Sequence, residues 1–216
     1  MNKRLIVALD FDNAKSTLDF LENIDPDKCM VKVGLELFIS EGWKILDLIS
    51  EKGFEIFLDL KLHDIPNTVA GAIRKISNFN VSLTTIHLNG GKEMVKAADE
   101  FKGDVKILGV SILTSLSRKD ILEITSSEFD IYFDKLISVA KNTNIDGVVC
   151  SPSELNKLKD FSKLKVVPGI RNSISDDDQK RIMSSNDAYQ NGADFIVVGR
   201  PITLSKDPAK ALELFI

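Results

Sequence analysis

The six residues Asp59-Leu-Lys61-Leu-His63-Asp64 set an ammonium group between two carboxylates. Asp59 and Lys61 end the run Phe54-Glu-Ile-Phe-Leu-Asp-Leu-Lys, whose composition is that of a strand, and Asp64 lies just beyond it in a loop that Pro66 punctuates. Side chains alternate faces along a strand, so Asp59 and Lys61 share one face while Leu58, Leu60 and Leu62 take the other. A lysine held protonated among carboxylates can stabilise negative charge as it develops on a neighbouring atom, and can then protonate that atom. Asp10 closes a second strand-like run, Leu5-Ile-Val-Ala-Leu, and Lys32 interrupts a third, Cys29-Met-Val-Lys-Val. Any one of these residues is explained by a plain ion pair at a strand end, or in the case of Asp64 by a helix cap. All five at neighbouring strand ends point instead to a charge array whose members perturb one another. Lys61, Asp59, Asp64 and Lys32 are the candidate catalytic residues.

The elements that must position them follow from hydrophobic periodicity. Strand-like runs end near Asp10, Gly34, Lys61, Asn89, Thr114, Ser151, Gly169 and Gly199. Amphipathic segments lie between them: Glu36 to Lys52, stopped by Gly53, then Val69 to Phe79, Lys92 to Phe101, Phe129 to Asn142, Ser151 to Leu158, Ser184 to Gly192 and Pro208 to Phe215. The long interval from Thr114 to Ser151 leaves room for an extra helix around Ile121 to Ile124. Eight β-then-α units predict a (β/α)8 TIM barrel, in which active sites occupy the C-terminal ends of the strands. The competing doubly wound sheet lacks its usual marks, since no Gly-x-Gly-x-x-Gly follows the first strand and no Walker loop is present. Phosphate in such barrels is bound by the loops after strands seven and eight. Here those loops read Pro168-Gly-Ile-Arg171 and Gly199-Arg200-Pro201, which combine guanidinium forks with glycines that admit close approach.

Composition narrows the alternatives. A chain of 216 residues with 44% hydrophobic content suits one core, so residues 1–216 are expected to form a single domain. The net charge of -4, without a basic tail or stripe, argues against a nucleic-acid partner. The N-terminal apolar run is five residues long and ends at Asp10, too short for a signal peptide, and no uncharged apolar stretch approaches bilayer length. A cytoplasmic protein without a membrane partner is the expectation. Cys29 and Cys150 lie in apolar runs and read as core thiols.

The motifs Val7-Ala-Leu-Asp10, Val31-Lys-Val-Gly34, Leu58-Asp-Leu-Lys-Leu-His-Asp-Ile-Pro-Asn-Thr68, Leu113-Thr114-Ser115, Val167-Pro-Gly-Ile-Arg171 and Val197-Val-Gly-Arg-Pro201 run through nearly the whole chain. In this order they resemble the bacterial-type orotidine 5'-phosphate decarboxylase family. The Asp-Leu-Lys-x-His-Asp-Ile-Pro-Asn-Thr stretch is specific to it, whereas Val-Gly-Arg-Pro or Asp-x-Lys alone occurs in other phosphosugar barrels. The resemblance implies decarboxylation of orotidine 5'-phosphate (OMP) to UMP, with no metal or organic cofactor. It implies that Lys61 protonates C6 of the pyrimidine, that Asp59 sits by the substrate carboxylate, and that Lys32, Asp59, Lys61 and Asp64 alternate in charge. It further implies ribose contacts from Asp10 and Lys32, phosphate contacts from Arg171, Gln179, Gly199 and Arg200 with Pro168 beside them, and a pyrimidine contact from Thr114 or Ser115. Asp64 and Thr68 would reach the site from the partner subunit of a homodimer. His63 reads as structural.

Two rival readings are available. The Mg2+-dependent 3-keto-gulonate-phosphate decarboxylases and hexulose-phosphate synthases share Asp-x-Lys-x-x-Asp, but the His63-Asp-Ile-Pro-Asn-Thr68 continuation and the Leu-Thr-Ser motif favour the pyrimidine enzyme. Leu9-Asp10-Phe11-Asp12 imitates the Asp-x-Asp start of haloacid-dehalogenase-type phosphatases, but Ala14 stands where that motif continues to Thr or Val.

Overall fold

Each β-branched run becomes a parallel strand, and the strands close on themselves. A computed structural model describes residues 3–172 and 183–216. Among these residues the strands are β1 (Leu5–Leu9), β2 (Met30–Val33), β3 (Ile56–Leu62), β4 (Val81–His87), β5 (Lys106–Val110), β6 (Gly147–Val149), β7 (Leu164–Pro168) and β8 (Phe195–Val198). They pair in sequence order, and β1 closes the barrel on β8 through Leu5 opposite Ile196 and Val7 opposite Val198. The helices wrapping the barrel are α1 (Ala14–Leu21), α2 (Leu35–Glu41), α3 (Lys44–Glu51), α4 (Pro66–Ile76), α5 (Gly91–Glu100) and α6 (Arg118–Thr125). They continue with α7 (Phe129–Lys141), α8 (Pro152–Leu155), α9 (Ser185–Gln190), α10 (Arg200–Thr203) and α11 (Pro208–Glu213). None is long and apolar enough to cross a membrane.

Alternation along the strands divides the apolar side chains into two layers. Ile6, Ala8, Met30, Phe57, Leu83, Leu108, Val166 and Val197 fill the barrel interior. Leu5, Val7, Leu9, Val31, Val33 and Leu58 face outward against the helices, where Leu37, Ile45, Leu46, Ile49 and Phe133 complete a larger core. Full burial of a side chain the size of Phe57 contributes about 1.5–3 kcal/mol. The same parity carries the inward row two residues on, from Ala8 to Asp10, Met30 to Lys32, Phe57 to Asp59 and Leu83 to Thr85. The interior that is apolar in its middle therefore becomes charged at the mouth.

Two expected elements are corrected. The segment Glu36 to Lys52 is two helices, because Gly42 takes φ 64 and ends α2 before α3 begins. Left-handed backbone of this kind terminates helices and suits glycine. Thr114 does not close strand five. The pairs His87 with Val110 and Val110 with Val149 are the last on either side of β5, so the chain beyond Val110 has little left to pair with. One more ladder bond, from the Ser111 N–H to the Val149 carbonyl, precedes a turn held by the Leu116 N–H on the Leu113 carbonyl. Two helices, α1 and α10, were not expected from the periodicity. In α1 the Asn13 side chain accepts the Ser16 N–H, a side-chain N-cap that starts a helix of only eight residues. The extra helix after strand five is present as α6, started by a capping box of Ser117 and Asp120.

Candidate active site at the barrel mouth

The ends of β1, β2 and β3 bring four charged side chains into one row. Lys32 Nζ lies 3.2 Å from Asp10 Oδ1 and 4.0 Å from Asp59 Oδ2, and Asp59 Oδ2 accepts a 2.8 Å bond from Lys61 Nζ. Charge thus alternates Asp10, Lys32, Asp59, Lys61. The inner members are shielded, since the side chains of Lys32 and Asp59 are 13% and 12% exposed while that of Asp10 is 61% exposed. An exposed pair such as Lys15 with Asp19 contributes about 0.2–1 kcal/mol at most. Removing one member of a shielded pair costs about 3–5 kcal/mol, because the other charge is left without compensation. Gly34 sits against this row, and a Cβ there would come within 3.0 Å of Lys32 Nζ.

Lys61 reaches the row by an irregular route. The pairing of β3 with β4 shifts between Leu58 and Leu62, and within that stretch Lys61 adopts φ 50. A non-glycine residue in this region costs on the order of 1–3 kcal/mol and persists only where its surroundings hold it. The fully buried Thr85 of β4 is one of those surroundings: its Oγ1 accepts the Lys61 N–H at 2.9 Å and donates to Asp59 Oδ1 at 2.9 Å.

At the end of β4, His87 packs beside His63 with ring centroids 5.6 Å apart. Burial lowers the His87 pKa from its ordinary value of 6.5, the neighbouring His63 and Lys61 lower it further, and Asp59 opposes them. His87 is therefore neutral at pH 7. Since the unfolded chain takes up this proton first, folding stability drops as pH falls through about 6.5. A His87→Gln variant is expected to show a shallower decline in melting temperature between about pH 7 and 5. Equal slopes for variant and parent would contradict the assignment.

A cavity of about 260 Å³ opens at this row, lined by Asp10, Lys32, Asp59 and Lys61 together with Pro168, Gly169, Ile170, Arg171, Gly199, Arg200 and Pro201, and by the inward-facing Ala8 and Val197. Gly169, at φ 77, turns the chain out of β7 so that Arg171, 6% exposed, lies against the cavity. The Arg171 N–H donates to the Met183 carbonyl at 3.1 Å, tying the end of β7 to the chain leading into α9.

Eight of the residues expected in the site thus line one cavity: Asp10, Lys32, Asp59, Lys61, Pro168, Arg171, Gly199 and Arg200. Three do not line it. Asp64 is exposed and its Oδ1 accepts the Ile65 N–H at 2.6 Å, Thr68 is exposed in the first turn of α4, and Thr114 is exposed in the turn after β5. Gln179 lies outside the described residues. Thr85 and His87 went unnoticed in the sequence. Their signal was weak, a threonine and a histidine of inward parity in Val81-Ser-Leu-Thr-Thr-Ile-His87. Cys29 and Cys150 are buried as expected, and burial pushes the Cys29 thiol up to about 12 and raises that of Cys150.

The sequence pattern described as the orotidine 5'-phosphate decarboxylase / HUMPS family matches residues 3–215. The chain belongs to this family. It is 41% identical over 222 residues to the orotidine 5'-phosphate decarboxylase of Saccharophagus degradans, covering 97% of this chain and 92% of that one. It is 42% identical over 218 residues to the protein of the same name from Nitrosospira multiformis, covering 97% and 90%. The crystal structure of orotidine 5'-phosphate decarboxylase from Lactobacillus acidophilus matches with a TM-score of 0.87 at 36% identity, over 99% of this chain and 97% of that one. Membership of the orotidine 5'-phosphate decarboxylase / HUMPS family, together with the closed barrel, removes the haloacid-dehalogenase-type reading of Asp10 and Asp12.

Proposed function

We infer that this chain converts OMP to UMP, and that Lys61 is its proton donor. The observation that carries the reading is that the alternating row Asp10, Lys32, Asp59, Lys61 lines one cavity together with Arg171, Gly199 and Arg200. The phosphate of OMP takes the side of the two arginines, where guanidinium groups bind its oxygens, with Pro168 beside them. Asp10 and Lys32 hold the ribose hydroxyls. Thr114 or its neighbour Ser115 contacts the pyrimidine edge.

In the chemical step the bond from C6 to the carboxylate breaks, CO2 leaves, and the electron pair remains on C6. The Lys61 ammonium stabilises that carbanion and then transfers a proton to it, giving UMP and a neutral amine that solvent reprotonates. Asp59 sits beside the substrate carboxylate, so their repulsion is relieved as CO2 departs; this effect is secondary to stabilisation of the carbanion. Phosphate binding, remote from C6, supplies the energy that orients the ring.

The chain acts as one domain over residues 1–216 in the cytoplasm, and as a homodimer. Asp64 and Thr68 flank Ile65, which is 66% exposed, and none of the three lines the cavity of its own chain. A partner subunit receiving this loop would gain a second acid beside Lys61.

Positive charge at C6 comes from Lys61, so activity requires no metal. Purified protein is expected to remove OMP absorbance at the same rate with and without EDTA. Loss of activity in EDTA with recovery in Mg2+ would favour the Mg2+-dependent sugar-phosphate enzymes of this fold, and no turnover of OMP at all would overturn the reading.

A further inference from the structure

Lys61 owes its position to a local break in the barrel. Leu58 of β3 pairs with Thr84 of β4, and the next pair is Leu62 with Ile86. Three residues of β3, Asp59, Leu60 and Lys61, therefore oppose the single residue Thr85. In such a bulge the extra residues leave the ladder and their backbone groups need other partners. Two threonine hydroxyls supply them. Thr84 Oγ1 donates to the Leu58 carbonyl at 2.9 Å, at the start of the bulge. Thr85 Oγ1 accepts the Lys61 N–H at its far end and donates to Asp59 Oδ1, each at 2.9 Å.

We propose that Thr85 is a positioning residue for the decarboxylation, its one hydroxyl holding both the left-handed backbone of Lys61 and the carboxylate that orients the Lys61 ammonium. The proposal rests on the decarboxylase reading above. The hydroxyl has one proton and accepts through its lone pairs. With that proton committed to Asp59, its lone pairs face the Lys61 N–H, so the two bonds reinforce each other. Without them, Lys61 loses the tie that keeps it at φ 50, and Asp59 is free to rotate away from the 2.8 Å contact with Lys61 Nζ. Thr85 touches neither end of the substrate, being 0% exposed beneath the row. Its effect must then fall on the chemical step rather than on binding.

Thr85→Val keeps the branched shape and removes the hydroxyl, while Thr85→Ser keeps the hydroxyl and removes the methyl. For Thr85→Val, kcat should fall roughly 10- to 100-fold, the range expected for hydrogen bonds to charged groups, with KM for OMP and Kd for UMP within about twofold of the parent. Thr85→Ser should restore kcat to within about threefold. Near-parental kcat in Thr85→Val, a loss that serine does not restore, or weakened UMP binding in step with kcat would each overturn the proposal. Should Thr85→Val fail to fold, Thr85→Cys takes its place, since a thiol is a poor donor and acceptor; parental kcat there would overturn it equally. A crystal structure of Thr85→Val adds a test that needs no activity. The Lys61 ammonium should lie beyond hydrogen-bond distance of Asp59, and an unmoved Lys61 would refute the positioning role. If the parent protein itself left OMP unchanged, the decarboxylase reading would fail, while this structural comparison would still decide whether Thr85 holds Lys61.

Discussion

Replacing Lys61 with alanine is expected to reduce kcat by at least about 10⁴-fold while leaving UMP binding within about tenfold of the parent protein. The size of the effect follows from one ammonium performing two tasks. A positioned general acid contributes typically about 10²–10⁴, and a preorganised charge at a developing anion contributes about 10²–10³. Both disappear together when the side chain is truncated, and Lys32, held between Asp10 and Asp59, is not placed to substitute for it. Binding should survive because the phosphate contacts assigned to Arg171, Gly199 and Arg200 come from residues of the cavity lining other than Lys61. The asymmetry is the informative part, since an interaction made only in the transition state lowers kcat without weakening the product complex. Loss of OMP absorbance gives the first quantity and titration calorimetry with UMP gives the second. Turnover near the parental rate would remove Lys61 from the role of proton donor, whatever the binding result.

The barrel was legible because its signal is local and repeated. Short β-branched runs alternate with amphipathic segments, and seven of the eight expected strand ends fall within two residues of the observed ones. The fifth did not, and the reason is spatial. Where β5 stops is set by His87 and Val149 on its neighbours, which the run Lys106 to Thr114 cannot report. Strand parity brought Asp59 and Lys61 to the same side correctly, but by an argument that assumes a regular strand. The actual route is a bulge with Lys61 at φ 50, and it depends on Thr85, far away in sequence. A threonine within a strand reads simply as a good strand former, so the work of its hydroxyl is invisible until β3 and β4 are paired. Arg171 and Arg200 were legible for the opposite reason: the barrel rule names the loops after strands seven and eight before any contact is known. Asp64 and Thr68 mark the limit of a single chain, for their motif is distinct while neither lines the cavity of its own subunit.

Mixing two inactive variants is expected to restore activity if those residues act across a dimer. Lys61→Ala chains lack the proton donor, and Asp64→Ala chains lack the acid proposed to complete the array in the partner's site. If Asp64 works in trans, a heterodimer of the two has one site that carries both lesions and one that carries neither. Random exchange of equal amounts makes half of the dimers heterodimers, each with one intact site of two, so about a quarter of parental activity should return. If Asp64 works in its own chain, every site in the heterodimer carries one lesion and nothing returns. The geometry within one chain favours the first outcome. Asp64 is exposed and spends one carboxylate oxygen on the adjacent Ile65 N–H, and among the described residues it makes no ion pair with Lys32 or Lys61. Isologous two-fold symmetry makes such an exchange of loops reciprocal, since each subunit that lends Asp64 and Thr68 receives the same pair. Exchange has to be verified independently, by mass spectrometry of differently tagged chains, because an unexchanged mixture is silent for a trivial reason. A fully exchanged mixture without activity would refute the shared site. It would also return Asp64 to the chain that carries Lys61, where the present geometry would require the loop from His63 to Pro66 to fold inward before the carboxylate could approach the ammonium.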